Sequence, residues 1–238
     1  KDPQMNTIVI VGLGYVGLPL VLQFARQGLR VVGLDVDTAK VDAINAGESY
    51  IKHVPDADIR AQLEAGQMRA TSDFSELAQA EAVIICVPTP LGEHREPDLS
   101  FVRATGEAIA PHLAKGVLVV LESTTYPGTT EEVILPMLKG SGLKVGEDFF
   151  LSYSPERVDP GNRDYHTSNI PKVIGSVTPA CTQMGDLFYS QFLDQVIPVS
   201  TARVAEMVKL LENTFRMINI GLANEMALMC DHMGIDVW

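Results

Sequence analysis

An apolar, β-branched run, Thr7-Ile8-Val9-Ile10-Val11, leads directly into Gly12-Leu13-Gly14-Tyr15-Val16-Gly17. A dinucleotide-binding unit begins this way, although glycines also punctuate ordinary strand-to-helix turns. The spacing Gly12-x-Gly14-x-x-Gly17 lets a strand turn sharply, keeps side chains away from an approaching pyrophosphate, and allows the next helix to pack against the strand. The helix start, with Tyr15 and Val16 beside Gly17, then offers its free N–H groups to phosphate. Leu18 to Gly28 reads as that helix, and Arg30-Val31-Val32-Gly33-Leu34-Asp35 as a second buried strand ending in a carboxylate. Asp35 stands 18 residues past Gly17, near the offset expected of the acid that holds an adenosine ribose. Its charge would repel the 2′-phosphate of NADP, so NAD is the expected cofactor. Lys40 is the nearby cation, and the bland alternative for Asp35 is a helix-capping turn residue.

Composition narrows the class further. The 238 residues are 46% hydrophobic and 20% charged, with a net charge of −12. A chain this acidic, without a concentrated basic face, is not expected to bind nucleic acid. It shows neither a charge-free apolar stretch of spanning length nor a basic-then-apolar signal segment, so a cytoplasmic protein with no membrane role is expected. Cys86, Cys181 and Cys230 are far apart and the five histidines scattered, which suggests neither a disulfide framework nor a metal site. Cys86, inside an apolar run, is read as buried.

Farther along, apolar runs alternate with longer amphipathic segments. The runs are Ala82 to Val87, Val117 to Leu121, Phe149 to Tyr153 and Val196 to Val199. Continuous apolar strands are covered on both faces. The expected fold is therefore α/β: a Rossmann-type, doubly wound, mostly parallel sheet over residues 1–200, followed by the start of a long central helix over 201–238. In such sheets ligands lie beyond the carboxyl ends of the strands. Three of those ends are unusual: Pro88-Thr89-Pro90, the hydroxyl cluster Ser123-Thr124-Thr125 before Pro127-Gly128, and Ser154-Pro155-Glu156-Arg157-Val158. Singly, each has a bland reading as rigid loop, helix cap or surface ion pair.

From Thr201 the pattern becomes helical, with Val204, Val208, Leu211, Phe215, Ile218, Leu222 and Met229 forming an apolar stripe. The stripe predicts core or a helix–helix interface, and hence a homodimer or higher homo-oligomer. Lys209, Asn213 and Arg216, at i, i+4 and i+7, share a polar face off the stripe. An interior asparagine is unfavourable in a helix unless its amide has a task.

With these segments together, the chain resembles the UDP-sugar 6-dehydrogenases of the UDP-glucose/GDP-mannose dehydrogenase family. The matching motifs are Val11-Gly12-Leu13-Gly14-Tyr15-Val16-Gly17-Leu18-Pro19, Cys86-Val87-Pro88-Thr89-Pro90-Leu91, Ser123-Thr124 with Pro127-Gly128, Ser154-Pro155-Glu156-Arg157-Val158, and Lys209-Leu210-Leu211-Glu212-Asn213. The resemblance implies oxidation of the C6 hydroxyl of a nucleotide sugar to a carboxylate with two NAD+. It implies that Lys209 and Asn213 handle the reacting oxygen, that Thr124 positions a water, and that Glu156 assists thioester hydrolysis. Tyr15, Val16, Asp35, Lys40, Thr89, Ser123 and Thr124 join the glycines as cofactor contacts. Arg157, Val158 and Arg216, with Lys209 and Asn213, contact the UDP-sugar.

The form Pro155-Glu156-Arg157-Val158-Asp159-Pro160-Gly161, with Asn169 to Gly175, leans towards UDP-N-acetylglucosamine, with UDP-N-acetylmannosamine close behind and UDP-glucose the other alternative. The family's second oxidation passes through a thioester on a cysteine that follows the lysine helix, and the chain ends at Trp238 before it. A piece of a longer enzyme, able to bind NAD but not to turn over alone, is therefore expected. The competing reading is a non-catalytic NAD-binding, dimerising protein.

Overall fold

The computed structural model describes residues 7–94, 96–157 and 170–238. Its frame is one eight-stranded sheet in the order β3-β2-β1-β4-β5-β6-β7-β8. The strands are β1 (Thr7–Val11), β2 (Arg30–Leu34), β3 (Met68–Thr71), β4 (Ala82–Ile85), β5 (Leu118–Leu121), β6 (Phe150–Tyr153), β7 (Lys172–Ser176) and β8 (Val196–Pro198). β1 to β6 are all parallel. β7 runs antiparallel to β6, and β8 runs parallel to β7.

Side-chain alternation along the strands divides the core into two layers. Ile8, Ile10, Ile84, Val120 and Ile174 face one side with Leu18 and Phe24 of α1 (Gly17–Arg26). Val9, Val11, Val83, Ile85, Val119 and Leu121 face the other, with Val102 of α4 (Ser100–Ile109) and Leu138 of α5 (Leu135–Lys139). Each such side chain contributes about 1.5–3 kcal/mol by burial. That covering on both faces is why the strands read as unbroken apolar runs. Helices α2 (Thr38–Asn45) and α3 (Asp56–Glu64) complete the first half, and α6 (Pro179–Tyr189) joins α1 through the edge-on ring pairs of Phe24 with Phe192 and Phe188 with Phe192.

Two strands escape the sequence pattern. β3 is four residues long, and only Met68 and Ala70 of it are buried. β7 is buried throughout although it begins with a lysine and contains Gly175. A Cβ on Gly175 would stand 2.1 Å from the Thr201 carbonyl oxygen. The glycine thus lets the start of α7 (Ala202–Met233) cross the strand at backbone distance. Thr201 caps this helix by accepting from the Val204 N–H at 3.2 Å, and Gly234 ends it at φ 69°.

Candidate active site

The carboxyl edge of the parallel strands is aligned by its own backbone. Gly12, Asp35, Cys86, Glu122 and Ser154 each follow a strand and each donate an N–H to the neighbouring strand or its end. The acceptors are the carbonyls of Leu34, Thr71, Val11, Ile85 and Leu121, at 2.7–3.1 Å. These five residues form one row, and every loop singled out by the sequence springs from it.

At the β1 end the glycines have distinct tasks. Gly12 has φ 96°, and a Cβ there would meet the Cys86 carbonyl oxygen at 2.7 Å; a Cβ on Gly17 would lie 1.8 Å from the Gly12 oxygen. Both are required by the protein's own backbone. Around Gly14, no described atom lies within 4 Å of a Cβ position. Its openness is what a pyrophosphate needs, and no side-chain hydrogen bond caps the N-terminus of α1, which leaves its dipole to an anion.

Asp35, at the end of β2, is buried and accepts from the Leu13 N–H at 2.8 Å and the Asp37 N–H at 3.0 Å. Lys40 reaches Asp35 Oδ2 at 3.4 Å, and Val36 beside it is 76% exposed. Tyr15 is 74% exposed and stacks on His53 with ring centroids 6.1 Å apart. Tyr50 donates its hydroxyl to the Leu13 carbonyl at 2.5 Å. Burial, then Asp35 and Asp37, push the Tyr50 pKa up, so it holds the turn as a neutral phenol. These features fit a dinucleotide, with phosphates at Gly14 and the α1 start and a ribose at Asp35.

The next two loops are stitched together. Ser123 Oγ donates to the Val87 carbonyl at 2.7 Å, and Thr89 Oγ1 donates to the Thr124 carbonyl at 2.6 Å. Both hydroxyl protons are thus engaged by backbone, leaving the oxygens as acceptors. Beneath them lies a buried polar group that the sequence did not announce. Lys172 Nζ is 2.7 Å from Glu122 Oε1, Tyr189 donates to the same oxygen at 2.6 Å, and Lys172 lies 5.2 Å from the centroid of the Tyr189 ring. Glu122 Oε2 has no hydrogen-bond partner among the described residues. Burial disfavours the Lys172 charge, but the Glu122 and Glu156 carboxylates outweigh it and raise the pKa. Cys86, buried next to this group, has its thiol pKa pushed well up by burial and then by Glu122.

The β6 loop meets α7. Lys209 donates its ammonium to the Glu156 carbonyl oxygen. Arg157 bonds both oxygens of Glu212 through Nε at 3.0 Å and donates from Nη1 to the Pro171 carbonyl at 2.6 Å. The ion-pair partner of Arg157 is thus Glu212 of α7, rather than the adjacent Glu156. Arg216 donates to Asn213 Oδ1 at 3.3 Å. Burial lowers the Lys209 pKa; Glu156 opposes the shift, and Arg216 adds to it.

Lys209, Asn213, Arg216, Glu156 and Arg157 are thereby gathered where β6 and α7 meet, and Thr89, Ser123 and Thr124 where the β4 and β5 loops meet. Gly12, Gly14, Tyr15, Val16, Gly17, Asp35 and Lys40 lie at the β1–β2 end of the same edge. Val158 lies outside the described residues. Among the described residues no cluster of His, Cys, Asp and Glu could hold a metal, and no helix is long and apolar enough to cross a membrane. Glu122, Lys172, Tyr50 and Val36 were missed by sequence reasoning. A lysine opening a strand and an acid closing one carry no periodic signal of their own.

A parallel sheet with an uncapped glycine-rich turn and a buried acid at the end of its second strand has the form of a dinucleotide-binding domain. Residues 6–193 match the model of the UDP-glucose/GDP-mannose dehydrogenase family, NAD binding domain, and residues 203–238 match the central domain of the same family. The chain belongs to the UDP-glucose/GDP-mannose dehydrogenase family.

It is 39% identical over 231 residues to UDP-N-acetyl-D-glucosamine 6-dehydrogenase of Pseudomonas aeruginosa, covering 96% of this chain and 54% of that protein. It is likewise 39% identical to UDP-N-acetyl-D-mannosamine dehydrogenase of Yersinia pestis, covering 99% and 57%. Among solved structures it is similar to a ternary complex of GDP-mannose dehydrogenase from Pseudomonas aeruginosa, with TM-score 0.89 and 30% identity over 96% of this chain and 54% of that one. The chain thus spans little more than half the length of these relatives.

Proposed function

We propose that this chain is the NAD-binding part of a UDP-sugar 6-dehydrogenase acting on UDP-N-acetylglucosamine, divided near residue 200 into a dinucleotide-binding domain and the start of a central helical domain. The observation that carries the reading is the contact of Lys209 with the Glu156 carbonyl. It brings α7, the longest helix among the described residues, onto the carboxyl edge beside the dinucleotide cradle.

The chemistry follows from these groups. NAD, when bound, accepts the hydride lost from the alcohol carbon. Lys209 and Asn213, at i and i+4, share one helix face, so an ammonium and an amide can converge on a substrate oxygen and stabilise a developing alkoxide. Burial lowers the cost of neutral Lys209, which suits a residue that takes up the hydroxyl proton directly or through a water. Thr124, whose carbonyl is held by Thr89, is assigned to position that water. Glu156 acts in the later hydrolysis, and Arg157, Val158 and Arg216 contact the nucleotide sugar. UDP-N-acetylmannosamine is the alternative substrate, because relatives of equal identity carry that name. The exposed apolar surface of α7 supports a homodimer, and the proposed use of NAD and a nucleotide sugar is consistent with a cytoplasmic enzyme.

The test is NADH production by the full-length enzyme with a panel of UDP-sugars. UDP-N-acetylglucosamine should give two NADH per sugar, and Lys209→Ala should lower the rate by about 100- to 1,000-fold, as loss of an oxyanion group does, while NAD still binds. Absence of NADH with every UDP-sugar rejects the function. A fully active Lys209→Ala rejects the assignment of the lysine.

A further inference from the structure

Glu206 is a carboxylate with no exposed surface, one turn ahead of Lys209 on α7. Both of its oxygens are engaged. Oε2 accepts the Gly128 N–H at 2.5 Å, and Oε1 accepts the Thr130 N–H at 2.9 Å and the Thr130 hydroxyl at 2.7 Å. Gly128, at φ 112°, adopts the backbone that brings the two N–H groups onto one carboxylate. Bonds of this charge-assisted kind are short and directional.

The segment so gripped is the far end of the loop that carries Thr124. Its near end is held by Ser123 on Val87 and by Thr89 on Thr124. The helix that does the gripping carries Lys209 and Asn213 at i+3 and i+7 from Glu206, on the same face. The segment from Ser123 to Thr130 is therefore anchored at both ends, by the β4 loop at one and by the lysine helix at the other. Burying a carboxylate is costly even when paired, and an apolar residue would hold two elements together at lower cost. Burial indeed pushes the Glu206 pKa up, against the Gly128 and Thr130 bonds. What the carboxylate adds is a fixed distance and rotation.

We infer that Glu206 is a positioning residue: it locks the helix bearing Lys209 and Asn213 to the loop bearing Thr124, so that the groups acting on the alcohol stand at a set distance from the dinucleotide. This rests on the proposed dehydrogenase reaction. The same junction supplies its own control. Arg203, whose side chain is half exposed, pairs with Glu131 and Glu132 at 2.8 Å each and joins the same two elements without touching Glu206.

The experiment compares Glu206→Gln, Glu206→Asp and Arg203→Gln in the full-length enzyme, on whichever UDP-sugar the wild type turns over. Glu206→Gln turns an amide N–H towards a backbone N–H. It should lower kcat about 10- to 100-fold, the cost of misplacing a reacting group by around an ångström, with KM for NAD within about twofold, a bound set by leaving the cradle untouched. Glu206→Asp should recover part of kcat. Arg203→Gln should lower Tm without lowering kcat.

Wild-type kcat in Glu206→Gln, or a kcat loss in Arg203→Gln that matches its loss of Tm, overturns the inference. If Glu206→Gln does not fold, Thr130→Val removes one donor and is read in the same way: a lower kcat at unchanged KM for NAD supports the inference, and an unchanged kcat overturns it. A wild type inactive on every UDP-sugar overturns the proposed function and this inference with it. An active wild type with an unimpaired Glu206→Gln overturns this inference alone.

Discussion

The carboxyl edge of the sheet and the distal three-quarters of α7 contain much the same kinds of residue, yet their surroundings are opposite. At the edge, charged groups are inside: Asp35, Glu122, Lys172 and Glu206 are all buried, and each meets a named partner. Along α7 the apolar groups are outside. Leu211 is 66% exposed, Phe215 69% and Ile218 60%, with Met207, Met217, Ile220 and Leu228 also exposed on other faces. Only Ala202, Ala205 and Glu206 of the helix are buried. At the edge charged groups are met by partners within the chain, whereas the apolar side chains of α7 have few such contacts among the described residues, the kind of exposed surface that marks an interaction site. If α7 self-associates as proposed, the edge should hold its geometry alone while the exposed part of the helix depends on assembly.

The sharpest way to break that contrast lies at the glycines, where the largest effect is expected. Gly17→Ala forces a Cβ to within 1.8 Å of a backbone oxygen, which no rotamer change relieves, so both Tm and NAD binding should be lost. Gly14→Ala meets nothing within 4 Å. It should keep Tm and lose NAD affinity by at least about tenfold, equivalent to about 1.4 kcal/mol, as read by calorimetric titration. Equal losses in the two variants would show that Gly14 is structural.

A middle-sized effect separates the two regions directly. Lys172→Met leaves Glu122 buried without its cation and should cost about 3–5 kcal/mol in urea unfolding. Phe215→Ser on α7 should change monomer stability by less than about 0.5 kcal/mol and instead weaken self-association seen by light scattering. A large stability loss in Phe215→Ser at low concentration would place that ring in a core that the described contacts do not contain.

How much of this was legible in the sequence follows the same divide. β1, β2, β4, β5 and β6 were readable because burial on both faces writes itself as continuous apolar residues. β3 was not, since two buried side chains make no pattern, and β7 was hidden by Lys172 at its start. The glycine turn and Asp35 were legible through fixed offsets along one chain segment. Glu122, Lys172 and Glu206 were illegible because their meaning lies in partners 50 to 78 residues away. On its helix Glu206 reads as one more solvated acid. The stripe from Val204 to Met229 was readable as apolar, but neither its exposure nor the additional apolar faces could be inferred from a period.

The smallest expected effect concerns pH and tests whether Lys209 belongs to the edge or to the open helix. Burial lowers its pKa below the ordinary lysine value. The folded chain therefore releases that proton before the unfolded chain does. Between the two pKa values the unfolded state binds more protons, so the lysine's contribution to stability rises with pH. Below the folded pKa the cost of burying the charge is present in full; above the unfolded value it is gone. Measured against Lys209→Met, wild type should thus gain stability as pH climbs through the alkaline range towards the ordinary lysine value, and kcat of the full-length enzyme should rise over the same window if neutral lysine takes the proton. The Glu156 contacts favour the charged lysine and oppose the effect of burial without cancelling it, so the slope reads the net of the two. A flat difference would mean that Lys209 is as solvated as the rest of α7, which would move it out of the site.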